Sequence, residues 1–318
     1  MAADGCGMTK ASRKHHYLPR HYLRGFVDGA GTFFVYDKLR GKIFQSNPDA
    51  AFFENDLNTV TLPGGSPSDF LEGLYTEMES RAWNSLDSIR QSTPDAPIAL
   101  QDKMDLMFFL SLLHWRLPSN AASAERLSQR FFGPANELGF LKIESTTGTA
   151  VPGDIIASIR TSPAWMKTAK AILPFAPFFA GDSWHADLAS WRFFYPADES
   201  SRFVVADNPI VARGHDDHDP VACLKDFIFP VSGRILLVSR GEGMGKILPP
   251  EFTIQYGTAI IERARRFVAC HDRSFLSALV NDHELHVRFG KTGRIVPELF
   301  EMLGRTDEGR ATGADTEP

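Results

Sequence analysis

WRFFYPADESSRFVVADNPIVARGHDDHDPVACLKDFIFPVSGRILLVS, residues 191–239, is the stretch whose reading decides the fold class. Four runs within it, Trp191–Tyr195, Arg202–Ala206, Asp226–Pro230 and Arg234–Ser239, are rich in aromatic and β-branched residues. Pro, Gly, Asp and Asn punctuate them, so the segment predicts four strands separated by turns. Upstream the apolar period lengthens. Leu71, Tyr75, Met78, Ala82, Leu86 and Ile89 recur at steps of three and four and mark the buried stripe of a helix opening near Ser66-Pro67 or Ser68. A second helix is expected from Gln101 to Leu117, stopped by Pro118. Met104, Met107, Phe108, Leu112 and Trp115 fill its inner face. Leu106, Leu110 and Leu113 make it apolar nearly all round, which places it at the centre of the fold.

Ala121–Gly133 and Ile155–Leu173 read as further helices before the strands, and Pro250–Phe267 and Arg273–Asn281 as helices after them. His286–Phe289 reads as a last short strand. At the N-terminal end, Leu18-Pro19 is an extended entry and Tyr22, Leu23 and Phe26 an amphipathic stretch. A hairpin follows, with Thr32–Tyr36 and Lys42–Phe44 joined through Asp37–Gly41. The sum is an α+β fold: an N-terminal hairpin segment, a central helical bundle and a C-terminal, mostly antiparallel sheet with flanking helices. The folded unit is expected over 13–304 as a single α+β domain. Residues 1–12 and 305–318, which have almost nothing to bury, are expected to be disordered tails.

With 43% hydrophobic and 23% charged residues, the 318-residue chain has an ordinary globular composition. Its net charge of −5 argues against a surface coated with nucleic acid, so only a local basic patch is left for phosphate. Cys6, Cys223 and Cys270 are odd in number and far apart, the usage expected of free thiols in the cytoplasm. No apolar run approaches the roughly 20 residues that span a bilayer, so no membrane is expected as a partner.

Between Lys10 and Arg24 the chain carries Lys10, Arg13, Lys14, Arg20 and Arg24 with His15, His16 and His21, and no acid. Such a strip attracts anions: Arg offers a planar fork of donors for phosphate, and a neutral His carries protons near pH 7. Glu72 and Glu79, seven apart, lie on nearly one helix face two turns apart. They suit a divalent cation or a partner in the basic strip, or make a solvated or salt-bridged face. His114 and Arg116 sit at a helix C-terminus, where the dipole favours cations. The sharpest local feature is Phe203-Val204-Val205-Ala206-Asp207-Asn208-Pro209, an apolar run ending in a carboxylate and a rigid turn. The turn aims Asp207 into a cleft or merely satisfies its own backbone.

His16-Tyr17-Leu18-Pro19-Arg20, followed by Tyr22-Leu23, Phe26 and Val35-Tyr36-Asp37, resembles the opening of the bacterial proteins grouped as domain of unknown function family 4238. Glu79, Arg116 with Pro118, Ala206-Asp207-Asn208-Pro209 and Phe229-Pro230-Val231-Ser232 extend the resemblance over about residues 15–280. It brings no activity with it. It nominates His16, Arg20, Glu79, Arg116 and Asp207 as positions that match the family's pattern.

The enzyme reading is a metal-dependent hydrolase acting on a phosphate-containing substrate such as a nucleotide or nucleic acid. Asp207 and His16 would be catalytic, and Glu79 and Asp207 would hold a divalent cation such as Mg²⁺. Arg20 and Arg116 would bind phosphate oxygens. The rival is a non-enzymatic ligand-binding or interaction module, in which the same residues form a buried polar network. Geometry separates the two: site residues converge on an open pocket, network residues are buried and mutually satisfied.

Overall fold

The computed structural model describes residues 14–61, 65–132, 153–179, 183–198, 200–213, 221, 224–240 and 245–304. The expected tails, with Lys10, Arg13, Cys6 and Cys223, lie outside the described residues.

The N-terminal segment is built in, not trailing. Strand β1 (Lys14–His16) leads through Pro19 into a single helical turn, α1 (Arg20–Leu23), and Tyr17, Leu18, Tyr22, Leu23 and Phe26 are all buried. Tyr22 stacks on Phe229, and its hydroxyl donates to the Pro230 carbonyl at 2.8 Å, which ties the segment to the distant sheet. The hairpin follows as β2 (Phe33–Asp37) and β3 (Lys42–Ser46). Then β4 (Phe53–Asn55) pairs back with β1, and a small ribbon forms from β5 (Val60–Thr61) and β6 (Pro67–Ser68).

The helical middle comprises α2 (Phe70–Arg90), α3 (Leu100–Arg116), α4 (Ala121–Phe132), α5 (Gly153–Thr161), α6 (Pro163–Ala169), α7 (Ala176–Phe179) and α8 (Ser183–Ser190). The central position expected for α3 holds: every residue from Leu106 to Arg116 is buried. The helix expected over Ile155–Leu173 is broken at Ser162-Pro163. Ser162 caps the new helix by accepting from the Trp165 N–H at 3.2 Å, and Pro163, which lacks an N–H, is tolerated in the first turn.

The C-terminal half holds β7 (Arg192–Pro196), β8 (Val205–Ala206), β9 (Val211–Ala212), β10 (Phe227–Ser232), β11 (Ile235–Val238) and β12 (Ile247–Leu248). After these come α9 (Pro250–Arg263), β13 (Phe267–Cys270), α10 (Arg273–Arg288) and α11 (Ile295–Gly304). One sheet has the order β12-β7-β11-β10-β9, antiparallel except for the β12–β7 edge, and the other the order β3-β2-β13-β8, antiparallel throughout. The four runs of 191–239 therefore do not share one sheet. Arg202–Ala206 supplies β8, which joins β13 and, through it, the N-terminal hairpin.

Side chains of the sheets alternate between two cores. Phe193, Tyr195, Phe227, Phe229, Leu237, Val205 and Ala269 pack with α2, α3 and the N-terminal segment. Phe194, Ile228, Leu236, Val238, Ala206 and Val268 pack with α9, α10 and α11. Helices cover both faces, so the strands read as continuous apolar runs instead of an apolar–polar alternation.

Three expectations are corrected at the C-terminal end. The helix expected over Pro250–Phe267 stops at Arg263, and Phe267–Cys270 is β13, at the heart of a sheet. His286–Phe289 is no strand: α10 runs on to Arg288, its start capped by the Asp272 carboxylate, and Val287 and Phe289 remain exposed. Four residues of alternating polarity fit a helix end as well as a strand. The reading also missed α11, which packs Ile295, Leu299, Phe300 and Leu303 inward. Among the described residues no helix is long and apolar enough to cross a membrane.

Candidate functional site

Strand parity sorts the His15-His16 doublet. β1 pairs with β4 with His15 opposite Glu54 and His16 opposite Phe53, so the two imidazoles point to opposite faces. His15 is fully buried, and its Nδ1 accepts the Asn58 N–H at 2.9 Å, a structural role. His16 lines a cleft of about 540 Å³ together with Lys14, Arg20, His21, Arg24 and Asp49 from the N-terminal region. Helix α2 contributes Glu72, Thr76, Glu79 and Trp83, and the end of α3 contributes Arg116.

Four of the five nominated residues thus meet: His16, Arg20, Glu79 and Arg116 come from β1, α1, α2 and α3 respectively and line one hollow. His16 has no hydrogen-bond partner at Nε2 among the described residues, and its ring leans on Phe53. Burial, then the Arg20 and Arg116 charges, hold its pKa below the usual imidazole value; a hydrogen bond to the Asp49 backbone opposes them. His16 Nε2 is buried from solvent, so proton transfer at this neutral imidazole needs a water admitted to it from the cleft.

Arg116 does something other than expected. Its side chain is 2% exposed, pairs with both Glu79 and Glu72, the latter at 3.1 Å, and lies over the Tyr75 ring. Glu72 also accepts from the Asn58 amide at 2.6 Å. The Glu72/Glu79 spacing therefore brackets a buried guanidinium. It makes the salt-bridged face and not a cation cage, and both Nη atoms of Arg116 are taken by carboxylates, which leaves the guanidinium poorly placed to bind phosphate. Arg20 is different: its bond to Asp49 at 3.0 Å joins two exposed side chains and holds weakly, on the order of 0–1 kcal/mol.

Asp207 lies elsewhere. It borders a separate hollow with Tyr17, Ser119 and Arg265, and its carboxylate accepts the backbone N–H groups of Arg265, Arg266 and Phe267 at 2.9, 2.7 and 2.9 Å. Burial raises its pKa, and those donors oppose the rise without cancelling it. The shared ion expected between Glu79 and Asp207 thus has no geometry to hold it. Among the described residues no group of three or more His, Cys, Asp or Glu is placed to bind a metal.

Three residues of the cleft were not foreseen, Asp49, Thr76 and Trp83. Trp83 sits one position off the buried stripe of α2 and stacks on His21, ring centroids 5.2 Å apart and planes 15° apart. His21 is held in turn by Asp87 at 3.0 Å. Arg90 braces the arrangement by donating to Asp87 and to the carbonyls of His21 and Tyr22. Its guanidinium passes so close to Gly25 that a Cβ there would lie 2.8 Å from Nη2 and would displace the end of the Arg90 side chain.

His16, His21, His271 and His283 are all depressed below the usual imidazole value, in each case chiefly by burial. The folded protein takes up these protons less readily than the unfolded chain. Their contribution to stability is therefore complete above a pH of about 6.5 and is lost as pH falls through the depressed values. Asp207, with its pKa raised, acts in the opposite sense. Four groups against one predict that Tm falls between about pH 7.5 and about pH 5.5, as read by circular dichroism. A Tm that held or rose on acidification would contradict the assignment.

A family model described as protein of unknown function (DUF4238) matches residues 14–274, and no curated protein and no solved structure matches the chain.

Proposed function

We propose that this chain, which belongs to the DUF4238 family of proteins of unknown function, binds a phosphate-bearing ligand in the cleft between its N-terminal segment and α2 and hydrolyses it by acid–base chemistry. The observation that carries the reading is the convergence of His16 with the cationic side chains Lys14, Arg20 and Arg24 on one open hollow. Arg20 and Arg24 are exposed at the cleft, and Arg24 has no side-chain partner among the described residues. They supply the anion-binding side. His16 takes a proton from water as the water oxygen bonds to phosphorus; the ester P–O bond breaks, the leaving oxygen is protonated by solvent, and the His16 imidazolium returns its proton to solvent. Glu79 and Arg116 hold the wall against which the ligand rests. Because the donor set for Mg²⁺ is not assembled among the described residues, no step is assigned to a metal.

Arg116, buried and paired twice, favours the rival reading for its own part of the cleft: Arg116, Glu72, Glu79 and Asn58 are a structural network. The two readings therefore divide the residues between them, network inside and site outside.

Calorimetric titration with phosphate monoesters and pyrophosphate tests the binding half. Arg24→Gln should weaken affinity several-fold, and added salt should weaken it further. His16→Gln should keep binding and Tm while lowering turnover on the order of 100-fold, and chelation by EDTA should leave turnover unchanged. Undiminished turnover in His16→Gln, or no phosphate compound binding at millimolar concentration, overturns the proposal.

A further inference from the structure

The geometry points to a nucleobase-stacking wall at Trp83, so that the ligand of the cleft is a mononucleotide and not a bare phosphate ester or a nucleic-acid strand; this rests on the phosphate reading above. Trp83 is only partly buried, lines the same cleft as the cations, and has one ring face occupied by His21 in parallel stacking. His21 is fixed by Asp87 and Arg90, so the indole is backed by a held ring and not left to swing. A base laid against a pre-set aromatic surface loses little entropy on binding, and stacking tolerates any base because every base has a π face.

The remaining polarity matches the rest of a nucleotide. Thr76 lies along the same helix as Trp83 and offers its hydroxyl oxygen to a sugar hydroxyl, while Arg20 and Arg24 meet the phosphate. At about 540 Å³ the hollow falls within the roughly 300–1,000 Å³ that holds small molecules. A polymer is disfavoured by the net charge of −5 and by the size of the hollow, which at about 540 Å³ suits a small molecule and not a strand.

Titrations of adenosine monophosphate, ribose 5-phosphate and a single-stranded oligonucleotide decide the matter. The nucleotide should bind on the order of tenfold tighter than ribose 5-phosphate, with its base protons shifted upfield in NMR by the indole ring. Trp83→Leu should abolish that advantage and the upfield shift while ribose 5-phosphate binding stays, and Trp83→Tyr should retain most of both. Retained ribose 5-phosphate binding shows in itself that the Leu variant is folded. Equal affinity for nucleotide and sugar phosphate in the native chain would overturn the stacking wall and leave the phosphate reading standing. An oligonucleotide binding more tightly than the nucleotide would overturn the mononucleotide assignment. No binding of any of the three would remove the phosphate reading, and this inference with it.

Discussion

Asp207→Ala is expected to lower folding stability by about 2–4 kcal/mol and to leave ligand binding in the cleft unchanged. The carboxylate accepts three successive N–H groups, those of Arg265, Arg266 and Phe267, and the Asp207 N–H itself donates to the Phe267 carbonyl at 3.0 Å. Charge-assisted hydrogen bonds contribute about 1.5–3 kcal/mol each, offset here by the cost of burying the carboxylate and by water reaching the half-buried donors. The clasp has a topological role. It sets the turn between α9 and β13, and β13 is the strand that joins β8 to the N-terminal hairpin. Losing it loosens the seam between distant parts of the chain. Asp207→Asn keeps one acceptor oxygen and should lose less. Urea denaturation beside a calorimetric titration checks the pair of outcomes. A stable Asp207→Ala protein with lost ligand binding would restore Asp207 to the site.

Arg116→Met should cost about 3–5 kcal/mol, the range for breaking a buried ion pair from one side. Glu79, with a side chain 7% exposed, would be left without its main counter-charge, and Glu72, 20% exposed, would lose half its bonding. The penalty belongs to the stranded charges more than to the lost attraction. Combining Arg116→Met with Glu79→Met should therefore recover a large part of it, since apolar side chains of similar volume can replace a buried pair at little net cost. Denaturant midpoints of the two single variants and the double variant close the cycle. If Arg116→Met proved stable but failed to bind phosphate, Arg116 would be a ligand residue after all and the internal network would lose its centre.

Particular residues show what could be read beforehand. The stripe Leu71 to Ile89 and the all-round apolar face of 101–117 marked α2 and α3 because a helix buried on one side, or on all sides, repeats its apolar residues at the helical period. Of the cleft, His16, Arg20, Glu79 and Arg116 were nominated, and they do meet. Trp83 escaped notice because one aromatic beside a buried stripe looks like any surface-facing residue until a ring from another element lies against it. β13 was hidden behind α9, since four apolar residues after a helix have no period of their own.

By itself the sequence determined the α+β class, the buried N-terminal segment and the side-chain types available to an anion site. These follow from local periodicity and composition, which neighbouring residues carry among themselves. Only the tertiary structure decided how the polar groups are shared out. Asp207 finds its donors 58 to 60 positions away in the chain, Arg116 finds Glu72 44 positions away, and His15 and His16 part company because a strand from residues 53–55 sets which face each takes. A carboxylate or an imidazole is a site residue or a structural one according to who occupies its lone pairs. That occupancy is settled by long-range packing, which no local pattern encodes.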